Sequence, residues 1–163
     1  MEQIVVGVGE CAISGAPEQV LATYGLGSCI ALAVYDPVRR VGGLAHYMLP
    51  DSAIDSGQRR GQPCAFADIA IPLLLQLATR QGADLRRLRA FAAGGASMAG
   101  AAPAFEIGKR NYEALLRELG RAGVPLEGEA VGGAISRNLR LVIGTGRVRI
   151  WESGERHAEY AKD

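Results

Sequence analysis

The sequence predicts an α/β sandwich of short, largely antiparallel strands with two to three helices packed on it. Three observations lead there. The 163-residue chain is 48% hydrophobic, enough for one sizeable core. Its 22 glycines are too many for a helical bundle and imply frequent turns. Its apolar runs are mostly short and bounded by Gly and Pro, whereas only two windows carry helical spacing.

Taken in order, Ile4–Val8 and Gln19–Thr23 read as strands, with Ser14-Gly15-Ala16-Pro17 turning between them. Gly25-Leu26-Gly27-Ser28 is a tight loop. Cys29–Tyr35 is a short apolar run suited to a buried strand, Asp36-Pro37-Val38-Arg39 a type I turn, and Gly43–Leu49 the returning strand. Pro50–Gln62 is polar and Gly/Ser-rich, so it reads as an exposed loop. Asp68 is placed as the cap of a helix to Arg80, with Ile69, Leu73 and Leu77 repeating every fourth residue. Leu88–Ala92 is a strand ending at Gly94-Gly95. The second helix runs from Lys109 to Arg121, with Tyr112, Leu115, Leu116 and Leu119 on one face and Gly123 as its stop. Leu126–Val131, Leu139–Ile143 and Arg147–Trp151 close the fold, the last two joined by Gly144-Thr145-Gly146. With no repeat and no linker, residues 1–152 read as one domain and 153–163 as a polar tail.

Charge excludes some partners. Lys and Arg total 18 against 17 Asp and Glu, which gives no electrostatic case for nucleic acid or an anionic membrane. The start reads as a first strand rather than a signal peptide, and no apolar run is long enough to span a bilayer. A soluble, cytoplasmic protein is expected. Cys11, Cys29 and Cys64 form no C-x-x-C pair, and His46 and His157 stand far apart, so no metal site and no cofactor are called for. The cysteines are expected as free thiols.

Two histidines make the search for chemistry short. His157 lies in the polar tail, where a solvated residue is expected. His46 lies inside an apolar strand, and alone it would be a structural histidine. Its placement says more. If Asp36 pairs with Arg39 across the turn, the ladder brings Cys29 opposite His46, with Cβ atoms about 4.5–5.5 Å apart. A turn centred one residue later leaves them diagonal neighbours. A thiol beside an imidazole is a nucleophile with its base, and the imidazolium can protonate a departing amide nitrogen, worth about 10²–10⁴-fold in rate. Gly27 and Ser28 bring backbone amides near Cys29 for an oxyanion. Thr23, at a strand end, could orient the second nitrogen of His46, although on spacing alone it is an ordinary strand residue.

Other constellations fall short. Gly25-x-Gly27 lacks a third glycine and opens a strand, no Walker loop is present, and Ser97 has no G-x-S-x-G elbow. Cys11 and Cys64 have no basic partner in prospect and are expected to be inert. Arg59-Arg60 and Arg86-Arg87 read as solvated, the first pair available to a protein partner.

Several segments together resemble the CheD family of chemoreceptor glutamine deamidases. They are Thr23-Tyr24-Gly25-Leu26-Gly27-Ser28-Cys29-Ile30, Tyr35-Asp36-Pro37-Val38, and Gly42-Gly43-Leu44-Ala45-His46-Tyr47-Met48-Leu49-Pro50-Asp51-Ser52. Phe66-Ala67-Asp68, Gly94-Gly95-Ala96, Ile107-Gly108-Lys109-Arg110-Asn111 and Gly132-Gly133 continue the likeness in order. The resemblance implies conversion of glutamines on chemoreceptor cytoplasmic helices to glutamate, a CheC-type phosphatase as regulatory partner, and a sandwich similar to toxin-type cysteine deamidases. It implies Cys29, His46 and Thr23 as catalytic residues. Ser136 stands where the family usually has glycine before Arg137. The rival readings are an adaptor module with a vestigial Cys-His pair, and a thiol protease or transglutaminase using the same pair.

Overall fold

The computed structural model describes residues 1–55, 57, 61–97, 106–154 and the backbone of 157–160. Arg59 and Arg60 lie outside the described residues. The strands are β1 Glu2–Val5, β2 Glu10–Ser14, β3 Gln19–Leu26, β4 Ile30–Asp36, β5 Val41–Tyr47, β6 Arg89–Gly94, β7 Leu126–Val131, β8 Arg137–Val142, β9 Arg147–Glu152 and β10 His157–Tyr160. The helices are α1 Ala67–Arg80 and α2 Ile107–Ala122, with short 3₁₀ turns at Ser52–Ile54, Pro63–Ala65 and Leu85–Arg87.

Two five-stranded sheets form, in the orders β1-β3-β8-β9-β10 and β2-β5-β4-β6-β7. All pairings are antiparallel except β1–β3 and β6–β7, the latter joined through α2. The mixed α/β class expected from sequence is the one observed. Alternation along β4 explains the layering. Ala31, Ala33 and Tyr35 face the first sheet and pack with Leu139, Leu141, Val148 and Ile150. Ile30, Leu32 and Val34 face the helices and pack with Leu74 and Leu115. The second sheet is therefore buried on both faces, which is why β4 and β5 read as continuous apolar runs.

Several boundaries and faces differ from expectation. Strand β2 was not foreseen, because Glu10-Cys11-Ala12-Ile13-Ser14 is short and its pairing with β5 is tertiary. Strand β10 pairs with β9, so part of the segment read as a polar tail carries a strand. Asp68 does not cap α1. Phe66 holds the cap position, and the Asp68 carboxylate instead accepts the Ser52 amide and hydroxyl at 2.9 and 2.7 Å, tying down the preceding loop. The buried stripe of α1 is Ala70, Ile71, Leu74, Leu75 and Ala78, leaving Ile69, Leu73 and Leu77 half-buried beside it. On α2, Leu116 is exposed, and Gly108, Asn111, Ala114, Leu115, Glu118 and Leu119 form the buried face. Gly123 does end α2, with φ +69°.

Candidate active site

The hairpin carrying Cys29 and His46 turns one residue later than the simplest count. Asp36 pairs with Val41 rather than Arg39, because Pro37–Arg40 make a four-residue connection that Arg40 closes in the left-handed region at φ +54°. His46 therefore lies opposite Ala31, and Cys29 sits two residues before Ala31 on the same strand side. Cys29 packs against the apolar cluster between the sheets, the side that also takes Ala31 and Leu44. Cys29, one residue before the ladder begins, and His46 thus lie toward the same inner side of the second sheet.

Thr23 reaches His46 from the other sheet. Its side of β3 faces inward, and a bulge between Thr23 and Leu26 adds one residue to β3 opposite β8. Gly25 takes the left-handed conformation the bulge needs, φ +69°, and its amide donates to Asn138 Oδ1 at 3.0 Å. Thr23 Oγ1 lies 2.8 Å from His46 Nδ1 and donates to the Val6 carbonyl at 2.6 Å. A hydroxyl has one proton. Given to Val6, it leaves Oγ1 to accept from Nδ1–H, so the neutral ring carries its proton on Nδ1 and presents a bare Nε2. Among the described residues Nε2 has no hydrogen-bond partner, although His46 is only 2% exposed. Burial holds the imidazole below its ordinary pKa, opposed in part by the Val6 carbonyl and the Glu10 carboxylate. The result is an uncharged, oriented base.

The Gly27–Cys29 loop is fixed through its carbonyls. Ala96 N–H donates to Gly27 O at 2.9 Å, Asn111 Nδ2 to Ser28 O at 2.9 Å, and Gly95 N–H to Cys29 O at 2.9 Å. Asn111 Nδ2 also donates to Met48 O at 3.0 Å, so one buried amide on α2 spans the segments after His46 and before Cys29. Tyr47 Oη in turn donates to the Asn111 carbonyl at 2.7 Å. A Cβ on Gly94, at φ +112°, would stand 2.0 Å from Cys29 O, and one on Gly108 would stand 2.4 Å from Ala96 O. Arg137, 7% exposed, donates from Nη1 to Gly132 O at 2.7 Å and to Gly94 O at 3.3 Å, and so holds this glycine corner together. Ser136 sits outside the left-handed region, so its side chain meets no backbone objection.

Of the residues singled out from sequence, Thr23 and His46 are in direct contact, and Gly27, Ser28 and Cys29 lie on the loop that leads into β4. Asn111, Gly94 and Arg137 act as their supports. Spacing gave no hint of those three roles, which depend on contacts across 43 to 83 residues. Among the described residues no three His, Cys, Asp or Glu side chains gather as metal ligands. A cleft of about 930 Å³ runs along α1 beside Pro72, Gln76 and Leu85, but none of Thr23, Cys29 and His46 lines it.

Two stacked sheets with helices on one outer face define a mixed α/β sandwich, with a buried Thr–His couple between the sheets and Cys29 on the loop leading into β4. Residues 48–152 match the family model described as CheD chemotactic sensory transduction. The chain is 56% identical over 155 residues to a protein of Solibacter usitatus named "Probable chemoreceptor glutamine deamidase CheD", covering 95% of this chain and 92% of that one. It is 43% identical to an Anaeromyxobacter dehalogenans protein named "Probable chemoreceptor glutamine deamidase CheD 2", over 97% and 99% of the two chains. A Symbiobacterium thermophilum protein of the same name as the first is 45% identical over 89% of each chain. The crystal structure of Bacillus licheniformis hypothetical protein YfiH matches 73% of this chain and 49% of its own at TM-score 0.45 and 17% identity, a likeness too distant to argue from. The chain belongs to the CheD family.

Proposed function

We propose that this protein deamidates glutamine side chains of chemoreceptors, using Cys29 as nucleophile and His46 as acid and base. The observation that carries the reading is the bare, buried Nε2 of His46, oriented by Thr23, on the inner face of the sheet toward which Cys29 also packs. The substrate class rests on the names of the relatives, three of which are called chemoreceptor glutamine deamidases.

The chemistry then runs in two halves. His46 Nε2 takes the Cys29 proton, and sulfur attacks the carboxamide carbon. The imidazolium returns that proton to the nitrogen, which leaves as ammonia, and a thioester remains. A water that gives its proton to Nε2 then attacks the thioester, sulfur departs as thiolate, and glutamate is released. The tetrahedral oxyanion needs nearby donors. Because the peptide unit is planar, the Cys29 N–H points opposite to the Ser28 carbonyl, and Asn111 fixes that carbonyl toward α2. The Cys29 amide is thereby aimed away from the helix and is the donor this reading assigns. Thr23 contributes position and tautomer, not charge.

The family resemblance adds a CheC-type phosphatase as regulatory partner and a place in chemotaxis adaptation. Co-purification of this protein with a CheC-type phosphatase tests that part separately. The catalytic part is tested by incubating a receptor signalling fragment with the protein and reading ammonia. Cys29→Ala and His46→Ala should each release none above background while keeping the native circular dichroism. Full activity in folded Cys29→Ala would overturn the assignment. Cleaved peptide bonds or incorporated amines in place of the amide-to-acid mass change would favour a protease or transglutaminase instead.

A further inference from the structure

Cys11 and Cys64, expected from sequence to be inert, meet in the fold. Cys11 lies in β2 and Cys64 in the Pro63–Ala65 turn, 53 residues apart in the chain. Their sulfurs are 2.7 Å apart, with Cys11 donating to Cys64. Neither is in a disulfide. Both side chains belong to the cluster beneath the helices, on the face of the second sheet away from His46. Cys64 is 6% exposed and Cys11 is half-buried.

The surrounding framework holds the two thiols in place. Cys11 pairs opposite Ala45, with Glu10 opposite His46 in the same ladder. The Ala65 carbonyl, next to Cys64, accepts the Met48 and Leu49 amides at 2.9 and 3.0 Å, and the Gly9 amide donates to the His46 carbonyl at 2.8 Å. Both cysteines are therefore borne on segments stitched to the C-terminal half of β5. The donated proton lowers the Cys64 pKa and raises that of Cys11, dividing the pair into a thiolate-prone sulfur and a proton source.

We propose that Cys11 and Cys64 form a peroxide-reactive dithiol, a modification site separate from Cys29. Cys64 gives its proton to solvent, its thiolate attacks one oxygen of a small hydroperoxide, the O–O bond breaks, and the departing oxygen takes one proton back from solvent. With hydrogen peroxide this yields water and a sulfenic acid on Cys64. The Cys11 sulfur then attacks Cys64 sulfur, the S–S bond forms, the S–O bond breaks, and the Cys11 proton leaves with hydroxide as a second water. Two thiols are oxidised by two electrons and one peroxide is reduced. The sulfurs need approach only from 2.7 Å to the roughly 2.05 Å of a disulfide. The bond would staple β2 to the turn that braces β5.

The test uses the full reduced chain and its Cys29→Ala variant. Each is treated with hydrogen peroxide, alkylated and mapped by peptide mass. A Cys11–Cys64 linked peptide, reversible by dithiothreitol, should appear in both proteins, and Cys11→Ser should abolish it. The linked protein should melt several degrees higher than the reduced one. Cys11 and Cys64 remaining fully alkylated while Cys29 oxidises would overturn the proposal, as would a link that includes Cys29. A link that lowers the melting temperature would also overturn it, because the sulfurs would then meet only on unfolding. The readout is a sulfur linkage and not ammonia, so its outcome is independent of the deamidation reading.

Discussion

Thr23 and His46 show how one proton settles the character of a site. Because Val6 O takes the Thr23 hydroxyl proton, the ring is pinned with Nδ1 as donor. Thr23→Ala should keep the fold and lose about tenfold or more in kcat/KM, a fraction of what the base itself supplies; Thr23→Ser should restore much of it. An unchanged rate would remove Thr23 from the machinery. Burial also sets the sign of the titration. The folded imidazole lies below its ordinary value of about 6.5, so NMR should find His46 still neutral when the pH has dropped through that value. Glu10 opposes this shift, and Glu10→Gln should move the His46 midpoint further toward acid; movement the other way would contradict the electrostatics. Cys29 and His46 stand out in the chain as reactive types within or beside apolar runs, whereas the role expected of Thr23 rests on the family resemblance and not on its spacing. Their register was only half legible. The four-residue turn closed by Arg40 could not be told from a tighter one, since a non-glycine residue rarely takes φ +54°.

Elements meet around the site at distances that only backbone without side chains allows. Gly94 ends β6 against the Cys29 carbonyl, and Gly108 opens α2 against the carbonyls of Gly95 and Ala96. The N-terminal end of α2 can therefore sit low enough for Asn111 to reach both Ser28 and Met48. Gly94→Ala should cost stability by about 2 kcal/mol or more, because neither the positive φ nor the 2.0 Å approach can be kept. Chemical denaturation would show this as a lower midpoint, and a midpoint equal to wild type would refute the packing argument. Sequence placed α2 within two residues at either end and found its Gly123 stop. It misjudged the buried face, where small and polar Gly108 and Asn111 took the place that Leu116 was expected to hold. Hydrophobic spacing marks greasy contacts; it is silent on contacts made by a glycine or an amide.

At the scale of the molecule, Asp36, at the end of β4 remote from Cys29, ties the β4–β5 turn to the Asp84–Arg87 segment that leads into β6. Its carboxylate is fully buried and accepts from Arg87 at 2.8 and 3.2 Å and from the Asp84, Val38 and Arg39 amides. Despite burial, these partners hold its pKa down to about 2 from 3.8. The sign follows: the contribution is full above about pH 4 and is lost as pH falls through about 2, on the order of 1–2 kcal/mol once the partly exposed Arg87 is allowed for. Arg87→Ala should flatten the acid arm of the stability curve between those limits, and an unaltered arm would deny Asp36 this role. The sandwich was legible as a class from glycine count and short apolar runs. The edge strands β2 and β10 were not, because pairing partners and not local propensity make them strands. The proposed activity comes down to the Cys29 thiol and the His46 imidazole. The most direct measurement is mass spectrometry of a chemoreceptor cytoplasmic fragment after incubation with wild type and with Cys29→Ala. Glutamine-to-glutamate conversion is expected from the first and none from the second. Equal conversion by both, or none by either with a cognate receptor, would contradict that expectation.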